Sequence, residues 1–158
     1  MEKLHTKFLQ RAIELSEQGS SRGVGGPFGA VIVKDGQIIV EAVNEVTSSC
    51  DPTAHAEVQA IRKAGAFLKT FNLQGCTIYS SCEPCPMCLS AIYWARMDAV
   101  YFANTRDEAA EIDFDDAFLY DELAKAQHDR RLPVYHLPSL KAKEVFEKWA
   151  KSAQKVPY

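Results

Sequence analysis

His55-Ala56-Glu57 and, further along, Pro84-Cys85-Pro86-Met87-Cys88 are the two stretches from which the rest of this chain can be read. A catalytic zinc ion takes three protein ligands and keeps one position open for water. One imidazole, His55, and two thiolates, Cys85 and Cys88, make such a set. Cys85 and Cys88 are three residues apart, so in the first turn of a helix both sulfurs face the same way. Pro84 and Pro86 suit a helix start, where a missing N–H costs little. Thiolates there gain from the positive helix end, which favours the deprotonated form that binds metal. His55 and Glu57 are two apart and would face away from each other on a regular helix. The pair works only if it opens a helix, with metal and substrate off its end. Asp51-Pro52-Thr53 just upstream is a helix-start signal of that kind.

Charge arithmetic gives Glu57 its role. Two thiolates cancel the formal charge of Zn²⁺, so the site acidifies water less than an all-histidine site, where the pKa reaches about 7. A carboxylate beside the water is then useful as a base that passes its proton on, a help typically worth about 10²–10⁴-fold. Other readings of the same residues exist. The cysteines could be reduced core residues, and Cys82, Cys85 and Cys88 could hold a structural metal or an iron–sulfur cluster. A fourth thiolate from Cys82 would close the zinc and abolish the water site. Cys82 is expected to be a bystander at the end of a buried strand.

The chain has 158 residues, a length that suits one domain over 1–158 with about 68–70% of its unfolded surface buried. Five cysteines, three of them within seven residues, fit a reducing compartment and a metal site better than a disulfide framework. No apolar run approaches the ~20 residues of a membrane span. Met1 to Glu14 reads as an amphipathic helix and not as a signal peptide. The expectation is a soluble cytoplasmic protein without a membrane partner. The net charge of −3 leaves no global basic footprint for nucleic acid, so a nucleic-acid partner is not expected.

Leu4, Phe8, Ala12 and Leu15 recur at helical intervals over 3–18. Gly25-Gly26-Pro27-Phe28-Gly29 lacks the Gly-Lys-Ser/Thr of a phosphate loop and reads as a tight entry into a strand. Asp35-Gly36, between the apolar runs 30–34 and 37–43, is a two-residue hairpin signal. Asn44 at the end of the second run is either a turn residue or a reader of a base edge. A helix is expected over 54–68, with Val58, Ile61, Ala64 and Phe67 on one stripe. Strands are expected over 77–80 and 99–103, and a helix over 85–96 that is apolar nearly all round and therefore buried. Asp107, Glu108, Glu111, Asp113, Asp115 and Asp116 form an acidic stretch, by default a solvated face, yet Phe114 and Phe118 bracket part of it. Residues 117–127 read as helix, 133–137 as a last short strand, and Ser139 as a cap for a helix over 140–152. Strands alternating with helices predict an α/β fold, a three-layer α/β/α sandwich around a mixed five-stranded sheet. The metal motifs fall after strands, at helix N-termini, where open α/β sheets place their sites.

H-x-E followed by P-C-x-x-C is the signature of zinc nucleobase deaminases. Nearly end to end, the chain resembles the cytidine-deaminase-like superfamily and, within it, the small bacterial guanine deaminases. The resemblance rests on 25–33, Asn44, 51–57, 82–88 and 91–96, and for guanine deaminase on Phe114-Asp115-Asp116 and Tyr158. It implies that His55, Cys85 and Cys88 bind one catalytic Zn²⁺ per subunit and that Glu57 shuttles protons. Phe28 would stack on the purine, Asn44 would hydrogen-bond it, and Ala56 would belong to the substrate site. Asp116 would recognise the amidine side of guanine and help protonate the leaving amine; Tyr158 would close the pocket. In these relatives the C-terminal segment, about 139–158 here, crosses to the other subunit of a homodimer.

The chemistry is consistent with that resemblance. Guanine offers N–H donors at N1 and the 2-amino group, and a carboxylate accepts both. Taken alone, Asp116 also reads as a helix cap and Tyr158 as a frayed tail. Three alternatives differ in what they require. A tRNA adenosine deaminase needs a basic surface for phosphates, where 107–122 is acidic. A cytosine or other small-base deaminase shares the metal motifs. A non-enzymatic zinc module would use Cys82 as fourth ligand.

Overall fold

A computed structural model describes residues 2–114 and 116–158; Met1 and Asp115, the latter from the acidic stretch of the sequence, lie outside them. The chain divides into two compact units, Met1–Tyr120 and Asp121–Tyr158.

The first unit is built on a sheet of four strands in the order β2-β1-β3-β4: β1 (Gly29–Lys34), β2 (Gln37–Val43), β3 (Cys76–Cys82) and β4 (Ala99–Asn104). β1 pairs antiparallel with both β2 and β3, and β3 pairs parallel with β4. The β1–β2 turn is the expected Asp35-Gly36, both at positive φ (50° and 74°), as a type I′ hairpin turn requires. Period-two alternation splits the central strands between two faces. Val31, Val33 and Tyr79 face α1 (Glu2–Ser21), packing on Phe8, Ala12 and Leu15. Ala30, Ile32, Ile78 and Cys76 face the other side, against α3 (Ala56–Leu68) and α4 (Pro86–Trp94). These are the three layers of an α/β/α sandwich. Burying each of the larger side chains contributes about 1.5–3 kcal/mol.

Close approach of helix to sheet rests on small residues. α3 presents Ala56, Ala60 and Ala64, all fully buried, while Phe67 of the expected stripe is exposed. On α1, Leu4 of the expected stripe is likewise exposed. A Cβ on Gly29 would come within 2.4 Å of the Ala12 carbonyl oxygen, so only glycine lets α1 lie this near β1.

Two expectations are corrected. The sheet has four strands, since 133–137 forms no ladder among the described residues. Pro133 lacks the N–H a ladder needs, Pro138 closes the run, and its side chains are exposed. α4 is not buried all round: Tyr93 is 77% and Trp94 64% exposed, and only Pro86, Cys88 and Ile92 of the helix are buried. Its apolar composition reflects two faces, and this chain alone covers one. Two short helices were not anticipated, α2 (Val46–Ser49) and α5 (Arg106–Ala110). α5 is held by a Thr105/Glu108 capping box, and α6 (Ala117–Ala124) follows it.

The second unit contains a 3₁₀ turn (Gln127–Asp129), an extended run, and α7 (Leu140–Ala150), with Ser139 Oγ accepting from Ala142 N at 3.3 Å as the cap. Arg131 N and Lys125 Nζ both donate to the Glu122 carboxylate. Leu137, Leu140, Phe146 and Tyr158 are exposed. Among the described residues no helix is long and apolar enough to cross a membrane.

Candidate active site

Each metal-ligating side chain stands at the entry of a helix. His55 precedes α3 with extended backbone (φ −67°, ψ 152°), and Cys85 precedes α4 in the same way (φ −64°, ψ 169°). Pro86 fills the first turn of α4, where its missing N–H breaks no helical bond. Glu83 N donates to Asn104 O at 2.8 Å, so β3 stays tied to β4 until the chain turns into the metal loop.

The donor atoms of His55, Cys85 and Cys88 lie within 4.8 Å of one another. His55 Nδ1 is 3.7 Å from Cys85 Sγ and 3.5 Å from Cys88 Sγ. Tetrahedral zinc, with Zn–S about 2.3 Å and Zn–N about 2.0–2.1 Å, spaces its sulfur and nitrogen ligands by about 3.6 Å. The cluster is therefore spaced for zinc. Hydrogen bonding with Cys88 and with His55 holds Cys85 down at about 4 against its burial, while Cys88 is pushed up. A divalent cation taking the place of the shared proton would find two thiolates. Cys82 stands apart. Its Sγ lies 3.7 Å from Thr105 O, and burial pushes its thiol up to about 11.

Glu57, in the first turn of α3, is buried beside the cluster. Its Oε1 accepts from Ser80 Oγ at 3.0 Å and its Oε2 from Cys88 Sγ at 3.5 Å. Burial raises its pKa, which brings a carboxylate toward the range of a working proton shuttle. Ser80 was not singled out by any motif. Only its place on the Ile78 face of β3, two residues on, would have found it.

A cavity of about 370 Å³ opens over these groups, lined by Phe28, Asn44, His55, Glu57, Cys85 and Asp116 among others. Asn44 is oriented by backbone. Its Oδ1 accepts from Gly26 N at 3.2 Å and Val46 N at 3.1 Å, which leaves the amide nitrogen as the group free to donate. A Cβ on Gly25 would stand 2.3 Å from Asn44 O and 2.4 Å from Oδ1, so the glycine run is a close approach to Asn44. Phe28 meets Phe114 edge to face at 4.9 Å, forming an aromatic wall. Asp116 Oδ1 is buried with no hydrogen-bond partner among the described residues. Burial, then the charge on Cys85, raise the Asp116 pKa. Ala56 is buried at the first position of α3, and Tyr158 ends the second unit, exposed.

A His/Cys/Cys cluster at two helix entries, a buried carboxylate against it and a cavity opening over both define a zinc-dependent hydrolytic deaminase. The chain belongs to the cytidine and deoxycytidylate deaminase family, whose zinc-binding region it matches over residues 2–104, and its cofactor is one zinc ion per subunit. It is 52% identical over 154 residues to a guanine deaminase of Bacillus subtilis (strain 168), covering 98% of this chain and 99% of that protein. The X-ray structure of guanine deaminase from Bacillus subtilis superposes with a TM-score of 0.94, at 52% identity and 98% coverage of both chains. A tRNA-specific adenosine deaminase of Aquifex aeolicus (strain VF5) is 43% identical over 96 residues, 61% of this chain and 63% of that one.

Proposed function

We propose that this protein hydrolyses guanine to xanthine and ammonia. The observation that carries this reading is Asp116 Oδ1: a buried, unpartnered acceptor in the same cavity as the metal cluster and Glu57. Leaving such an atom unpaired costs about 1–3 kcal/mol, so the site is built for a ligand that donates there. Guanine donates at N1 and at its 2-amino group. The ring edge of adenine offers acceptors and only the reacting amine as donor, so it would leave Asp116 facing lone pairs. The full-length match to a guanine deaminase, beside a partial one to a tRNA deaminase, supports the same choice.

Zinc held by His55, Cys85 and Cys88 would supply a Lewis acid that makes water nucleophilic. The residues of the chain do the rest. Phe28 packs on the purine face, and the Asn44 amide donates to an acceptor on the ring. Asp116 holds the amidine edge and so aims C2 at the metal cluster. Glu57 takes one proton of the attacking water and delivers it to N3, then takes the second from the hydroxyl formed at C2 and gives it to the departing nitrogen. The C2–N bond breaks as the C2–O bond is completed; guanine and water become xanthine and ammonia with no redox change.

The test is an ammonia-release screen of the zinc protein across guanine, guanosine, cytosine and an adenosine stem-loop. Guanine should be converted to xanthine. Turnover of the stem-loop with none of guanine would transfer the protein to the tRNA enzymes.

We further propose that the C-terminal segment, about 139–158, is exchanged between the subunits of a homodimer, so that Tyr158 completes the partner's pocket. The exposed apolar side chains of the second unit and the exposed Tyr93 of α4 support burial against another copy. Removing 156–158 should cut activity and leave thermal unfolding unchanged. Mixing that truncation with Glu57→Gln protein should restore turnover, since a truncated subunit with an intact Glu57 would borrow a tail. No restoration after subunit exchange would remove the swap. The free cysteines support a reducing compartment such as the cytoplasm, where the reaction would serve purine breakdown.

A further inference from the structure

Between the metal loop and the base-reading carboxylate runs a chain of side chains that the chemistry above does not use. Glu83 Oε1 accepts from Arg106 Nη2 at 2.6 Å, and Glu83 Oε2 accepts from the Arg106 backbone N at 3.1 Å. The Arg106 guanidinium lies over the ring of Tyr120, 4.0 Å from its centroid. The Tyr120 hydroxyl donates to Pro84 O at 2.8 Å. The path closes on itself, because Glu83 and Pro84 are neighbours and Pro84 leads directly into Cys85. Tyr120 also stands on the first turn of α6, the helix that begins directly after Asp116.

We propose that Glu83, Arg106 and Tyr120 form a strut that fixes the distance between Asp116 and the metal ligands. It rests on the reading of Asp116 as the guanine-edge acceptor. The strut is needed because no described residue bonds Asp116 Oδ1 itself. Oδ1 is placed by the backbone that carries it, and α6, which follows Asp116 directly, is tied to the metal loop through Tyr120. Each link suits the task. The Glu83–Arg106 pair grips two nitrogens at once, and a planar guanidinium can stack on a ring while doing so. Tyr120 keeps a rigid ring against that plane and spends its one O–H on a carbonyl next to a ligand. A displacement of about 1 Å in a reacting geometry costs on the order of 10²-fold, so a rigid spacer has a measurable consequence. These three are positioning residues: they act through Asp116 and Cys85.

The experiment is a double-mutant cycle with Tyr120→Phe and Asp116→Ala in the zinc-loaded dimer, read on guanine. Tyr120→Phe keeps the ring over Arg106 and removes only the hydroxyl. It should lower kcat/KM by about tenfold, the scale of one partly buried hydrogen bond, with zinc content unchanged. In the Asp116→Ala background the same change should cost almost nothing, because there is no carboxylate left to place. Amide hydrogen exchange over 116–120 should quicken in Tyr120→Phe, while that of α3 stays as it was. Equal losses in both backgrounds, or unaltered exchange over 116–120, would overturn the strut. The two readings fail separately. Absent guanine turnover by the unmutated enzyme strikes the substrate assignment, and the exchange measurement, which needs no substrate, still decides the strut.

Discussion

Glu57→Gln should bind zinc at one ion per subunit and lose about 10²–10⁴-fold in kcat. The substitution is nearly isosteric. The amide oxygen can still accept from Ser80 Oγ, and the amide nitrogen can donate to Cys88 Sγ, where the carboxylate now accepts. What disappears is the capacity to take a proton and give it back. Because burial raises the Glu57 pKa, the native carboxyl is poised for both halves of that transfer. Metal analysis and steady-state kinetics on the same preparation check the result. Near-normal turnover with full zinc would take Glu57 out of the mechanism; loss of zinc would give it a structural part instead.

Cys88→Ser should abolish both zinc binding and activity, and chelation of the unmutated protein should do the same reversibly. Cys88 is fully buried at the centre of the cluster, with His55 Nδ1 3.5 Å away. A serine hydroxyl is a poor zinc ligand, and the shorter side chain leaves a gap where sulfur stood. A ligand that binds only the folded state stabilises it by about 4 kcal/mol at ~1,000 times its Kd. For a chain of this size that is a shift of roughly 10 °C in Tm. Added zinc should raise the Tm of the chelated native enzyme and restore its turnover, and should do neither for Cys88→Ser. An active, zinc-replete Cys88→Ser protein would refute the ligand assignment.

How much of this could be read in the chain depended on how local each signal was. Asp35-Gly36 specifies its turn by backbone sterics alone, and the hairpin is there. Phe8, Ala12 and Leu15 show their helix by spacing. The H-x-E and P-C-x-x-C motifs carry their own geometry, so His55, Cys85 and Cys88 could be named before any fold was known. What escaped depended on distant neighbours. Ser80 reaches Glu57 across 23 positions, and Tyr120 reaches Pro84 across 36. Of the Ala56, Ala60 and Ala64 face only Ala64 was on the expected stripe, because alanine weighs little in a hydrophobic pattern, while Phe67, which weighs much, is exposed. Pro133 to Leu137 has strand-like composition, but a strand exists only where another offers it hydrogen bonds. The Tyr93 and Trp94 face of α4 marks the opposite limit: its sequence asks for burial that one copy of the chain does not provide.

The alanine ladder of α3 also bears on how this scaffold could be redesigned. Enlarging any rung would push His55 and Glu57 away from the sheet together, so directed-evolution libraries gain nothing from randomising that helix. Val46, Thr47, Asp113 and Leu119 border the cavity without belonging to the metal cluster. Variation for new heterocycles belongs on that rim.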